Sequence, residues 1–341
     1  FQAEDGIRDA QESRGLGDVY KRQVEIQPSN VTANGSISYR NGQPVIQFIL
    51  GEQDRLLLGN SVRLCGKFLA RLSSASLSTS ATSPLQMSNK LGVYSTIDTL
   101  TIKSQRTGQT IESIRHYNRF LASYLPVTNS QEDAMTHQYE TSLILPNFKA
   151  QTESVVNIPS GSGTANSFCM PLPCGLLNGR NPIPLMEESI GGILIELHLA
   201  PDSQVFHSAS VTSASITDSY YEFSEVSLVA ELMEPEPSVM TKMKSQPSGT
   251  FEYNSISSYY QTINSANGII NFQLGLSRVM GVFANIVPSS HINNMTFDGL
   301  ATLYPTNSDA SSADITELFL SLIHISEPTR LLSISYAVFC L

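Results

Sequence analysis

The chain has 341 residues, with 20 lysines and arginines against 30 aspartates and glutamates, so its formal net charge is −10 at pH 7. An acidic surface of this kind argues against direct, sequence-independent binding to nucleic-acid phosphates. No apolar run approaches the length of a membrane span, and the total length suits one large domain or two of medium size. Only 15% of residues are charged, while Ser, Thr and Asn are abundant, which favours an all-β protein with many turns.

Both ends of the chain resemble translated sequencing adapters. The N-terminal stretch is similar to in-frame translations of a flow-cell adapter and a transposase adapter, and the C-terminal stretch to those of their reverse complements. A short index sequence lies between the two adapters at each end. Translated from one DNA strand it gives residues 10–12, and translated from the complementary strand it gives residues 331–333. We therefore expect residues 1–23 and 320–341 to lie outside the fold, and the insert of residues 24–319 to be truncated on both sides. The four matching segments are residues 2–9, 13–23, 320–330 and 334–341.

The hydrophobic periodicity of the insert is mostly two, as one buried and one exposed strand face require. The segment 45–50 follows the turn signal Asn41-Gly42 and is predicted as a strand. Further strands are predicted at residues 62–68, 193–199 and 225–232, and weaker ones at 97–103, 142–145, 154–158 and 167–172.

One segment departs from this pattern. Apolar residues recur at helical spacing over residues 111–125, and Pro126 follows the run, so a single inserted helix is predicted there. A second, shorter helix is predicted over residues 238–244. Many short strands with one or two short helices indicate a sandwich and not alternating β-α units.

The chain also contains internal sequence similarity. Residues 41–51 resemble residues 267–275, and residues 63–68 resemble residues 278–283 in the same order. Two ordered matches predict a duplicated β-domain of a little over two hundred residues, as estimated from the offsets.

The duplication predicts where each domain begins and ends. We expect a first domain over residues 24–235, a linker over residues 236–248, and the start of a second domain over residues 249–319. The linker is marked by the proline-containing stretch 234–238. In that alignment Phe48 is equivalent to Phe272. Phe68 is likewise equivalent to Phe283.

The insert contains three cysteines, Cys65, Cys169 and Cys174. An odd count without a signal peptide indicates free thiols in a reducing compartment. Cys169 and Cys174 have no second Cys or His pair at zinc-site spacing, so a metal site there is disfavoured.

No residue is nominated as catalytic, cofactor-binding or metal-binding, and no cofactor is expected. His198 and Glu196 share the exposed face of a predicted strand and could begin a metal site of the cupin type, but a solvated or inter-subunit polar face is the preferred interpretation. Residues 160–164 contain two glycines but lack the lysine of a phosphate-binding loop, so we interpret them as a flexible loop.

The succession of segments resembles a known family. A strand pair over residues 46–68 and the predicted helix are followed by the run Phe168-Cys-Met-Pro-Leu-Pro-Cys-Gly-Leu-Leu177, by Gly191-Gly-Ile-Leu-Ile-Glu-Leu-His-Leu199 and by a strand over residues 221–232. This order is similar to double jelly-roll major capsid proteins of the adenovirus and tailless-phage lineage, of the Polinton-like or small eukaryotic virus type. The resemblance covers most of residues 24–300.

The resemblance implies a double jelly roll, with the first roll complete and the second truncated. It implies a structural subunit of an icosahedral capsid, not an enzyme, assembled inside the host cell and located in the virion. Its partners would be two further copies in a trimer of pseudo-hexagonal outline and neighbouring capsomers, with penton or minor capsid proteins as further candidates. No direct nucleic-acid binding is implied, and membrane contact is left open.

Two alternatives remain at this stage. A jelly-roll or cupin-like enzyme or sugar-binding module would need a metal cluster or an aromatic-lined groove, and the chain contains no Trp. A tail-fibre or adhesin protein would carry further sandwich repeats. The downstream reading frame distinguishes them, because a capsid gene completes its second roll and then stops.

Overall fold

A computed structural model confirms the all-β fold class. The part of the chain that it describes is built mainly from strands, with few helices. The described residues are 20–31, 35–72, 86–88, 91–128, 139–142, 165–179, 181–186, 190–207, 219–245, 251, 253–262, 282–285 and 337–340.

Fourteen strands and four α-helices lie within those residues, together with a 3-10 turn at Gly92–Thr96. The helices are α1 Tyr117–Thr128, α2 Tyr139–Ser142, α3 Asp202–Val205 and α4 Pro237–Ser245. The strands are β1 Tyr20–Ile26, β2 Val45–Leu50, β3 Leu56–Leu72, β4 Gln86–Met87, β5 Ile97–Ser104, β6 Thr110–Arg115, β7 Asn166–Pro171, β8 Ile183–Pro184, β9 Ile193–Leu199, β10 Phe206–His207, β11 Ser219–Glu234, β12 Ser258–Tyr260, β13 Val282–Asn285 and β14 Ala337–Cys340.

Eight of these strands form two antiparallel sheets. One has the order β1-β11-β3-β7 and the other the order β2-β9-β5-β6. If the eight strands are lettered B to I along the chain, the sheets become B-I-D-G and C-H-E-F, the interleaved order of a jelly roll. The short strand β8 extends the pairing of β3, whereas β4 and β10 form a separate two-stranded sheet.

The central strand β11 has 16 residues and pairs with both β1 and β3. Its register against β3 shifts between Ser224 and Ser227 and again between Val229 and Glu231. Glu225 sits in the first irregularity with a φ of 53°, the left-handed conformation that a bulge uses to bend a strand. The long strand can therefore follow the twist of both neighbours.

Aromatic rings fill the space between the two sheets at one end. Phe68 and Tyr221 are fully buried, and their ring centroids lie 6.2 Å apart. Phe223 packs edge-on against Phe68 at 5.8 Å and against Phe168 at 5.5 Å. Pairs in this geometry stabilise a core beyond their area burial. A small apolar void nearby is lined by Ile46, Leu64, Ile97, Phe168, Leu197, Leu199, Phe223 and Val226.

Most strand predictions are confirmed, and the second predicted helix is confirmed as α4. The segment 45–50 is β2 and the segment 193–199 is β9. The predicted strand over residues 142–145 is wrong at Ser142, which ends α2, and its remaining residues lie outside the described part. The predicted strand at 154–158 and loop at 160–164 also lie outside it. The other confirmed strands are 62–68 within β3, 97–103 within β5, 167–171 within β7 and 225–232 within β11.

The helix predicted over residues 111–125 is wrong in its first part. Residues 110–115 form β6, and α1 begins at Tyr117. His116 lies between them with a φ of 52°, a left-handed conformation that separates the strand from the helix. Glu112 and Ile114 are buried at alternate positions, which is the period of a strand. Residues 111–115 are too few to distinguish the period of a helix from that of a strand, and their pairing with β5 makes them a strand. The helix continues past Pro126 to Thr128.

A third sheet follows the linker region. β14 lies between β12 and β13 and runs parallel to both, whereas β11 lies between β1 and β3 and runs antiparallel to both. Phe283 lies on β13, and Phe272 lies outside the described residues. The equivalence of the two domains therefore stays a prediction.

The flanks are described only in small part. Contrary to the expectation that both flanks lie outside the fold, residues 20–23 pair with β11 as part of β1, and residues 337–340 pair with β12 and β13 as β14. The side chains of Lys21, Arg22 and Gln23 are exposed. At the other end only the backbone of β14 is described. The adapter origin of both flanks stays a prediction. No helix within the described ranges is long and apolar enough to cross a bilayer.

Candidate functional site

A buried carboxylate joins the jelly roll to the chain that follows it. Glu112 lies on the inward face of β6 and is 4% exposed. Its Oε1 accepts the backbone N–H of Gly175 at 3.0 Å and that of Ile256 at 2.7 Å, while Oε2 accepts the N–H of Leu176 at 2.8 Å. An ionised carboxylate is an acceptor only, so it suits three converging N–H groups. Glu112 therefore links the edge of a sheet, the turn after β7 and the segment after α4.

Further contacts hold that segment along the free edge of β6. The Tyr253 hydroxyl donates to the carbonyl of Ile111 at 3.0 Å, and the N–H of Arg115 donates to Ser258 Oγ at 2.8 Å. The residues Phe251, Tyr253 and Ile256 pack against the hydrophobic core of the roll. We call residues 251 and 253–260 the junction segment. It occupies edge groups of β6 that would otherwise be open to another strand.

Glycine is required where the turn after β7 meets the junction segment. A Cβ on Gly175 would lie 1.8 Å from the carbonyl oxygen of Asn254 and 2.7 Å from Glu112 Oε1. Neither contact is compatible with a side chain, because both atoms are held by surrounding backbone. The sequence Cys174-Gly175 therefore permits close backbone approach at the junction.

The electrostatics of this cluster are set by burial. Burial raises the pKa of Glu112, although hydrogen bonds from Leu176, Ile256 and Gly175 act in the opposite direction. Cys174 is fully buried beside it, and its pKa is raised well above the ordinary value by burial and by the charge of Glu112. Burial also raises the pKa of Tyr253. The Cys174 thiol and the Tyr253 hydroxyl are therefore held in their neutral forms.

Sequence reasoning did not identify Glu112. The signal that could have found it is a glutamate at an inward position of a strand, two residues before the buried Ile114. A charged residue in such a position must be paired or hydrogen-bonded. Its partners are more than sixty residues away, and spacing does not reveal them.

The opposite edge of the same sheet is closed in another way. Asn30 accepts the N–H of Gln47 at 2.9 Å and donates to the carbonyl of Val45 at 2.7 Å. The N–H of Ser29 donates to the carbonyl of Gln47 at 2.7 Å. A side-chain amide thus takes the place of a neighbouring strand on β2. Both edges of the β2-β9-β5-β6 sheet are covered at these positions.

The outer face of that sheet carries Glu196 and His198, but the exposure predicted for them is wrong, since Glu196 is 7% exposed and His198 is half-buried. The carboxylate of Glu196 is 2.6 Å from Lys103 Nζ and accepts a hydrogen bond from Gln47 Nε2 at 2.9 Å. His198 lies two residues further along β9, opposite Val45 and Thr99. Both oxygens of Glu196 are engaged within the sheet face. In the residues that the structure describes, no group of three or more His, Cys, Asp or Glu side chains could hold a metal ion.

The outer face of the β1-β11-β3-β7 sheet carries ion pairs and a disulfide. Lys67 Nζ lies 2.6 Å from Glu225, and Arg71 pairs with Glu222. The exposed Lys67–Glu225 pair contributes little stability in water, whereas Glu222 is only 9% exposed.

The expectation of free thiols is wrong for two of the three cysteines. Cys65 and Cys169 face each other across β3 and β7, with Cα atoms 4.0 Å apart, and are disulfide-bonded. Cys174 is free and buried. The sequence separation of 104 residues hides the pairing, because only the strand register brings the two thiols together.

Comparisons with known proteins yield matches to solved structures. No family model matches the chain, and no curated protein matches it. A crystal structure of PBCV-1 VP54, fitted into a reconstruction of the virophage Sputnik, is 12% identical, with a TM-score of 0.38 over 68% of this chain and 46% of that one. The Faustovirus major capsid protein is 10% identical, with a TM-score of 0.37 over 66% and 56%. The mavirus major capsid protein is 12% identical, with a TM-score of 0.33 over 64% and 47%.

The chain thus spans about half the length of the solved structures that it resembles. The likeness concerns the fold alone, and no argument about function rests on it.

Proposed function

We propose that the complete protein is a structural subunit of an icosahedral virus capsid, located in the virion after assembly inside the host cell. The observation that carries the proposal is an eight-stranded jelly roll whose edge strand β6 is joined, through Glu112, to the segment that precedes β12. On this proposal the protein has no catalytic centre, and its function is contact between copies. The acidic chain is not proposed to bind nucleic acid directly.

The second roll that we propose needs a strand I between β12 and β13. In the first roll, the place between strands B and D belongs to strand I, which is β11. The same place between β12 and β13 is occupied by β14, but in the parallel direction. A jelly-roll strand I would run antiparallel to both neighbours, and β14 falls within residues 320–341, which we expect to be adapter. We infer that native sequence downstream of the insert supplies that strand.

Assembly into trimers is the finer part of the proposal. Three chains with two rolls each would present six similar units around a ring, which suits tiling of a closed shell. Because the edges of the β2-β9-β5-β6 sheet are covered, the contacts between copies would come from sheet faces and loops. Residues 73–88 and 127–136, predicted from sequence as long loops, are candidates. Of these, residues 86–87 form β4 and residues 127–128 end α1, and most of the others lie outside the described part. A stable interface needs roughly 1,000 Å² or more of buried area.

The downstream reading frame tests the proposal. Recovery of the longer contig should reveal a frame that completes one further jelly roll, including an apolar strand for the place of β14, and then stops. A frame that continues with further sandwich repeats would favour a fibre or adhesin and contradict the capsid assignment. The native sequence upstream of residue 24 would come from the same contig and replace the adapter.

A further inference from the structure

The disulfide on the outer sheet face differs in its surroundings from the third cysteine. Cys65 and Cys169 are half-buried on the outer face, whereas Cys174 is fully buried beneath the sheets. Half-buried thiols can be reached by small thiol and disulfide reagents. A buried thiol with a strongly raised pKa is inert toward them, so Cys174 is a built-in reference for the other two.

Charge around the pair favours reaction at one sulfur. Arg63 and Lys67 flank Cys65 on the same face of β3, but Lys67 Nζ is paired with Glu225 at 2.6 Å, so the exposed Arg63 supplies the cation. Nearby cations favour the thiolate, which is the form that attacks a disulfide. The residues that flank Cys169 on β7 are the uncharged Ser167 and Pro171. Cys65 is therefore the thiol expected to react first.

We propose that Cys65 and Cys169 form a reversible redox latch, open as a dithiol in reducing surroundings and closed as a disulfide in oxidising ones. The Cys65 thiolate attacks a small disulfide such as oxidised glutathione, which breaks the glutathione S–S bond, releases one glutathione and leaves the other on Cys65. The Cys169 thiolate then attacks that mixed bond and releases the second glutathione. The two protein thiols lose two protons and two electrons, and the reagent disulfide takes them up as two thiols.

Closure of the latch ties β7 to β3. The bond closes a loop across 104 residues of sequence, which includes β5, β6 and α1. A cross-link over a loop of that length restricts the unfolded chain strongly. The folded state already holds the two Cα atoms opposite each other, so closure needs no change of strand register. The latch belongs to the first roll and does not depend on the proposed function.

The experiment oxidises the reduced full chain with oxidised glutathione under native conditions, then maps linkages by mass spectrometry of unreduced peptides. The expected product is a Cys65–Cys169 cross-link with loss of two hydrogens, while Cys174 stays unmodified until the chain is denatured. The Tm of the oxidised chain should rise by about 10 °C over the reduced chain. The Cys65→Ser/Cys169→Ser variant should retain the Tm of the reduced chain under both conditions.

Single variants test the order of reaction. Cys169→Ser should acquire glutathione at Cys65 faster than Cys65→Ser acquires it at Cys169. Glutathione adducts on both native cysteines without a cross-link would overturn the latch. A cross-link that leaves the Tm unchanged would overturn it as well.

Discussion

Glu112 Oε1 lies 2.7 Å from the backbone nitrogen of Ile256, across 144 residues of sequence. This hydrogen bond connects the edge strand of the eight-stranded jelly roll to the segment that precedes β12. Since the same carboxylate also holds the turn after β7, one side chain fixes how the two parts of the chain meet.

Glu112→Gln should weaken the junction. An amide would point an N–H₂ donor at one or more of the three N–H groups, which leaves buried donors unpaired. We expect the free energy of unfolding to fall by about 1–3 kcal/mol. Denaturant unfolding measures the change, and hydrogen exchange should locate it at Gly175, Leu176 and Ile256. The exposed Glu231→Gln is the matched control and should change neither measurement. Unchanged exchange at Ile256 in the Glu112 variant would contradict the role of the carboxylate.

The stability of the junction should depend on pH with a definite sign. Burial raises the pKa of Glu112 in the folded chain above its ordinary value of 4.5. At a pH between 4.5 and the folded-state pKa, the folded chain therefore binds more protons than the unfolded chain. The contribution of Glu112 to stability is therefore greatest at and below pH 4.5 and declines as pH rises through the folded pKa. The difference in unfolding free energy between the parent chain and Glu112→Gln isolates this effect. A difference that instead grows with rising pH across that window would show that hydrogen bonding outweighs burial.

Gly175→Ala should displace the junction segment. The new Cβ would collide with the carbonyl oxygen of Asn254, and neither backbone can move without losing hydrogen bonds to Glu112. We expect a loss of roughly 1–3 kcal/mol of stability from such overpacking. Gly51→Ala is the matched control, since its Cβ would meet only Gln105 Oε1 at 3.8 Å. Equal melting temperatures for the two variants would contradict the close approach.

Asn30→Ala should open the edge of β2. It removes one acceptor and one donor that occupy the backbone of Val45 and Gln47, which should cost about 1 kcal/mol. The exposed strand edge should then promote association between copies. Light scattering over a concentration series measures this, with Gln27→Ala as a nearby exposed control. A variant that scatters no more than the control would argue that Ser29 alone closes the edge.

Local periodicity predicted much of the fold, because inward apolar residues alternate along β2 and β9, whereas β5 departs from alternation at a register shift between Ile97 and Thr99. It failed at residues 111–115, where a five-residue segment fits helix and strand alike and pairing with β5 decides. The junction could not be predicted, since Glu112 meets partners 63 to 144 residues away. The Cys65–Cys169 pair was missed for the same reason. Contacts of this kind depend on strand register, which a single sequence does not contain.

Sedimentation of the complete protein, expressed from the recovered gene without adapter residues, tests the central claim most directly. The capsid assignment predicts a trimer at micromolar concentration, with no dependence on divalent metal. Glu196 is already engaged by Lys103 and Gln47, so His198→Ala should leave the trimer intact. A stable monomer that binds a divalent metal through His198 would contradict the account and favour a cupin-like protein.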